Sequence, residues 1–180
     1  AFSGDATESG PSPAGAQIVY AAVEHTAGPS GAIGYWNWGT GAFDNLLTPS
    51  APPAPINAAW TQVASATAQG LSTLAWSTPV PTGMLNSSNT YRVVALTLDQ
   101  ASNATQNPAI AGAGASFRYD TQIPTAAITA PSLNAYLNLA ALGNMAGTAN
   151  DATTGNSGLA SVQILLKLQN TERYWMGTNL

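Results

Sequence analysis

The chain of 180 residues has no cysteine, one histidine and only four basic residues, Arg92, Arg118, Lys167 and Arg173. Without cysteine there are no disulfides, no thiolate metal sites and no thiol nucleophile. One histidine excludes a metal centre built from several imidazoles. Four dispersed cations make no patch that could neutralise a run of phosphates, so nucleic acid is not an expected partner. No apolar run approaches the roughly 18 residues that suggest a membrane-spanning helix, and membrane insertion is not expected. Charged residues are 7% of the chain, against about 25% in typical soluble domains. The formal net charge of −4 reads as ordinary solubility.

Ala, Thr, Ser, Asn and Gly take the place of charge. Apolar residues make up 45% and include five Trp, enough for a real core. Pro and Gly punctuate short stretches rich in β-formers. Ala16–Val23 (AQIVYAAV) predicts a strand. Gly34–Thr40 (GYWNWGT) predicts an aromatic strand or tight hairpin. In Leu71–Ser77 the face with Leu74 and Trp76 is the buried one. Thr90–Asp99 (TYRVVALTLD) is the clearest strand, with Tyr91, Val93, Ala95 and Thr97 on one face and Arg92, Val94, Leu96 and Leu98 on the other. Further strands are expected within Ala115–Asp120, Ala126–Pro131, Leu142–Asp151 and Leu159–Gln169. Pro55–Gln69 carries Ile56, Ala59, Trp60 and Val63 at helical spacing, so one short helix is expected there. The Pro-rich Thr48–Ala59 reads as a long loop crossing between sheet edges. Many short strands with frequent turns argue for an all-β sandwich.

The chain also repeats itself. GDATESGPSPAGAQIVY from Gly4 and NDATTGNSGLASVQILL from Asn150 match without a gap at Asp5/Asp151, Ala6/Ala152, Thr7/Thr153, Ala14/Ala160, Gln17/Gln163 and Ile18/Ile164, an offset of 146. A period of this length suits whole modules in tandem. The order of motifs points the same way: Trp76, then Thr90 to Asn103, Phe117 to Asp120, Pro124, Ile128 to Pro131, Gly147 to Asp151, Gly158 to Ile164, and Tyr174 to Gly177. That order resembles the bacterial Ig-like tandem-repeat domains of large secreted and cell-surface proteins. Ser102 stands where such repeats usually have Gly, and the Pro-rich insert after Phe43 is unusual.

The resemblance implies Ig-like antiparallel β-sandwich repeats. Residues 1–120 would be one nearly complete domain lacking its first strands, and residues 121–180 the first strands of the next. It implies a structural, extracellular or cell-surface protein: a fibre, stalk or adhesin, with other copies of itself as partner. Two explanations of the incomplete domains compete: the 180 residues are a piece of a longer repetitive chain, or copies assemble head to tail by strand donation from Thr125–Asn150, using Ala126, Ile128, Leu142 and Met145. The alternative is a glycan-binding module, with Tyr35, Trp36, Trp38 and Trp60 as a stacking platform for surface glycans. Because Tyr174-Trp175 recurs at the place equivalent to Tyr35-Trp36, a structural role for these rings is preferred.

No catalytic constellation is expected. His25 reads as a surface residue at a strand end, next to Glu24. The carboxylates lie in no motif beyond the repeat, and Asp is a common turn residue. No cofactor is implied except calcium, for which Asp99, Asn103, Asp120 and Asp151 are the candidate ligands at a domain joint. The competing role for Asp99 and Asn103 is a turn between strands.

Overall fold

The computed structural model describes residues 1–7, 15–50, 55–66, 73–104, 114–138, 140, 143–151, 157–168, 170 and 172–175. The described residues form antiparallel β-structure and contain no helix. The strands are β1 (Phe2–Thr7), β2 (Ala16–Ala27), β3 (Gly34–Asn37), β4 (Ala42–Asp44), β5 (Thr61–Ser65), β6 (Thr73–Thr78), β7 (Asn89–Asp99), β8 (Ala115–Tyr119), β9 (Thr125–Ala130) and β10 (Ala146–Asn150). They fall into two compact units, Ala1–Thr121 and Gln122–Leu180.

The first unit is built around the long pair β2–β7. It runs from Ala16 opposite Asp99 to Ala27 opposite Thr90, with two irregularities in register. β3 and β5 share the other edge of β2, β4 extends β3, and β8 pairs with β7 over Asn89–Val93. The Gly34–Thr40 stretch is thus half of a hairpin, closed by Gly41 N–H donating to the Asn37 carbonyl at 2.8 Å. β1 and β6 form a separate two-stranded sheet with Phe2 opposite Thr78 and Gly4 opposite Trp76.

β2 and β7 are covered on both faces, which is why their apolar residues run nearly without interruption. On one face Val19, Ala16 and Ala95 pack against Ala6, Leu74 and Trp76 of the small sheet. Further along that layer Val23 and Val93 meet Trp36, Met84 and Phe2. On the other face Ala22, Val94 and Leu96 pack against Ala59, Trp60, Leu47 and Ile56. The segment that continues from the Pro-rich insert therefore serves as a lid of core side chains. Val19, Val23 and Val94 are fully buried, each worth about 1.5–3 kcal/mol against exposure.

The helix expected over Pro55–Gln69 is not formed. Its described part is a turn at Ala58-Ala59 followed by β5; residues 67–69 lie outside the described residues. The apolar residues that mimicked one helical face serve two faces. Ile56, Ala59 and Trp60 go to one layer, and Val63 and Ala64 to the other. The open edge of β2 from Ile18 to Ala21 supplies backbone partners, and that pairing overrides helical spacing.

The second unit holds β9 and β10, with Ala149 opposite Ala126 and an irregularity at Ala146/Gly147. The strand expected over Leu159–Gln169 is absent among the described residues. Only an isolated bridge, Lys167 with Tyr174, appears there. Two backbone bonds, Leu168 N to Arg173 O at 3.0 Å and Trp175 N to Leu166 O at 2.9 Å, flank it. The alternation from Val162 to Leu168 is real, but a strand needs a neighbour for its backbone groups.

Candidate functional site

Asp99 and Asn103 make a closed turn at the end of β7. The Asp99 carboxylate accepts from Asn103 N at 2.7 Å and from Asn103 Nδ2 at 2.8 Å. The side-chain bond from Asn103 is the main reason that the Asp99 carboxyl is held below its ordinary range. Both carboxylate oxygens are thus engaged within the turn. Asp120 accepts from Ser87 Oγ at 3.3 Å, and Thr121 N donates to the same Ser87 Oγ at 3.0 Å. In the second unit, Asp151 is buried and accepts from Gly158 N at 3.0 Å. Each acidic candidate organises its own local backbone. Among the described residues no group of three or more His, Cys, Asp or Glu is placed to hold a metal.

His25 is not a surface residue. It is fully buried because β2 continues to Ala27 rather than ending at Val23. Its ring lies 5.3 Å from that of Tyr91 and 5.6 Å from that of Phe43. Nδ1 is 2.8 Å from the Ala32 carbonyl, which can only accept, so Nδ1 carries the proton. That bond ties the loop before β3 to the strand.

Of the aromatic platform, Tyr35, Trp36 and Trp60 are buried, and Trp38 is half-buried. Trp36 packs edge-on against Phe43 with centroids 5.1 Å apart. Trp60 Nε1 donates to the Ser50 carbonyl at 2.6 Å. These rings fill the core and form no exposed row on which a sugar could stack.

One polar group escaped the reading by residue type. Arg92 forms an ion pair with Glu24 at 2.7 Å and donates from Nη2 to the Tyr35 hydroxyl at 3.1 Å. Burial foremost, then the Glu24 carboxylate, pushes the Tyr35 phenol up, with Arg92 pulling the other way. For Arg92 itself, burial works to lower the pKa. The Tyr35 bond and the Glu24 charge outweigh it and hold the group above its ordinary value. Glu24 and Arg92 face each other in the β2–β7 register. Opposite charges on two strong strand segments were the available signal, but the register was needed to read it.

Two of the four donor candidates lie on the second unit's sheet. Ala126 and Ile128 are on β9, Met145 immediately precedes β10, and Leu142 lies outside the described residues. Ala126 and Ile128 share a face, and Ile128 is 72% exposed. In the first unit, an apolar groove of about 430 Å³ opens between β1 and the edge of β7–β8, lined by Phe2, Trp76, Val93, Ala115 and Phe117. β1 and β8 are each the last strand of their sheet among the described residues.

No family model matches this chain, and no curated protein or solved structure matches it either. No helix among the described residues is long and apolar enough to cross a membrane.

Proposed function

We propose that this chain is a structural element of an extracellular or cell-surface fibre, built from Ig-like modules that associate head to tail. The observation that carries the reading is the contrast between the two units. The first buries Val19, Val23, Val94, Leu96 and the rings of Tyr35, Trp36, Trp60 and Tyr91. The second leaves Ile128, Val162, Ile164, Leu165 and Tyr136 open to solvent. A two-stranded sheet is marginal alone and needs further strands against its apolar face, and apolar patches of this kind mark interaction sites.

Other features support the reading. Tyr91 Oη accepts from Asn86 N at 2.8 Å, five residues upstream. This is the arrangement of the tyrosine corner used by Ig-type sandwiches. The internal repeat supports a modular chain. The low charge allows copies to approach without strong repulsion.

Electron microscopy of the purified protein, with light scattering over a range of concentrations, tests this. Filaments or open-ended oligomers are expected. Uniform monomers at all concentrations would overturn it.

A further inference from the structure

The groove beside β1 has an occupant encoded in the chain itself. We infer that β1 of one copy accepts β9 of a second copy, in the register that β9 uses on β10. This rests on the assembly reading above and adds the donor, the acceptor edge and the register.

The argument starts from a strand equivalence. The gap-free overlay at 146 puts Gly147 on Ala1 and splits the strands out of phase. An offset of 143 matches fewer residues over Gly4–Thr7 but brings the described strands into phase. Gly4-Asp5-Ala6 then lies on Gly147-Thr148-Ala149, and Glu8 on Asp151. β1, Phe2–Thr7, then coincides with Met145–Asn150, which is β10 and the residue before it. Burial agrees: Ala6 is buried, and Ala149 is the least exposed residue of β10. The offset returns to 146 by Gln17/Gln163, so three more residues separate the two segments in the second copy than in the first.

β10 has a neighbour on an edge where β1, among the described residues, has none. β9 lies against it with Ile128 opposite Gly147, Ala127 opposite Thr148, Ala126 opposite Ala149 and Thr125 opposite Asn150. Among the described residues β1 pairs only with β6. Carried over by the equivalence, β9 on β1 places Ile128 opposite Gly4, Ala127 opposite Asp5, Ala126 opposite Ala6 and Thr125 opposite Thr7.

Two further observations suit this register. Glycine stands at both equivalent positions. On β10 a Cβ at Gly147 would come within 2.5 Å of the Ala127 carbonyl oxygen, so the irregular crossing of β9 there requires glycine. At Gly4 a Cβ would come within 3.0 Å of the Trp76 ring, and the donated Ile128 would lie against that ring. The second is the face. Phe2, Gly4 and Ala6 are the less exposed residues of β1 and Ser3, Asp5 and Thr7 the exposed ones. Ile128 and Ala126 would therefore point with Gly4 and Ala6, toward the side where Phe2 and Trp76 line the groove. In its own unit Ile128 is largely in solvent. Moving β9 to β1 of another copy keeps the strand hydrogen bonds and buries that side chain. Addition of a strand from another chain to a sheet edge is β-augmentation, and no charged side chain on β9 or in the groove opposes it.

The absence of cysteine makes the test clean. Asp5 and Ala127 are exposed and would face each other across the new pair. The 180-residue chain carrying Asp5→Cys and Ala127→Cys is oxidised and run without reductant. Disulfide-linked dimers and higher multimers are expected. Asp5→Cys with Ala126→Cys, one residue out of phase, should remain monomeric. Adding Ile128→Asp to the first pair should lower the linked yield about tenfold, the factor for 1.4 kcal/mol. As a check independent of the variants, a peptide spanning residues 122–133 added to the unmodified protein should shift the amide resonances of Ser3–Thr7.

Equal linking by both cysteine pairs, or no linking together with no peptide-induced shift, overturns the inference. Filaments without the specific link would sink this register and leave the fibre reading standing. Specific linking that yields only closed dimers would sink the fibre and leave the strand exchange standing.

Discussion

At the residue scale, the buried polar groups of the first unit set its pH response. Burial and Glu24 raise the Tyr35 phenol above the ordinary tyrosine value. A raised pKa means that the folded state holds this proton more tightly than the unfolded chain. The associated stability is complete below about pH 10 and is lost as pH rises through the folded value. Urea unfolding between pH 8 and pH 11.5 should show a fall above pH 10 that is reduced in Tyr35→Phe. Asp99 has the opposite sign. Its carboxyl is held low by Asn103, so its contribution is present above about pH 3.9 and lost as pH falls through the lowered value. Asp99→Asn should remove that acid dependence. Asn89 is fully buried, and its Nδ2 donates to the Ser30 carbonyl at 2.6 Å. Asn89→Ala leaves that carbonyl without this donor and should cost about 1–3 kcal/mol in equilibrium unfolding.

At the scale of elements, a strand's legibility followed from how many faces it buries. β7 shows two sharply divided faces, and both halves of the predicted split reach core layers: Tyr91, Val93 and Ala95 in one, Val94 and Leu96 in the other. β5 departs from the helical spacing of its segment because that segment feeds both layers within ten residues. Leu159–Gln169 departs in the opposite way: it has the alternation of a strand, but Ile164 remains 65% exposed, with no neighbouring strand against it among the described residues. Leu96 is fully buried in the layer that holds Ala22 and Trp60. Leu96→Ala should cost about 2–5 kcal/mol by removing packed volume. Leu133→Ala, at a site 91% exposed, should change stability by less than about 0.5 kcal/mol. Denaturant midpoints at constant slope separate the two.

At the scale of the whole molecule, stability is expected to be uneven. Amides of β2 and β7 sit in the centre of a sheet covered on both faces and should exchange at the global unfolding rate. Amides of β9 and β10, in a two-stranded sheet with little buried side-chain area, should exchange far faster. In assembled material β9 should gain protection while β2 and β7 change little. Hydrogen exchange read by mass spectrometry on dilute and assembled samples measures both. Calcium at millimolar concentration should leave the melting temperature unchanged, since the Asp99 carboxylate is occupied by Asn103 and the other acidic candidates are engaged in separate local contacts.

The sequence by itself determined the all-β character. Short β-branched and aromatic runs between Gly and Pro have few other ways to bury their side chains. It also determined the two faces of β7 and the recurrence of one segment near both ends. Only the tertiary structure decided which residues are inside. His25 and the aromatic group Tyr35, Trp36 and Trp60 depend on where β2 ends and on what the segment after the Pro-rich insert covers. Neither is a local property. Backbone pairing joins segments far apart in the chain, so the side chains that a strand buries are set by its partners as well as by its own alternation.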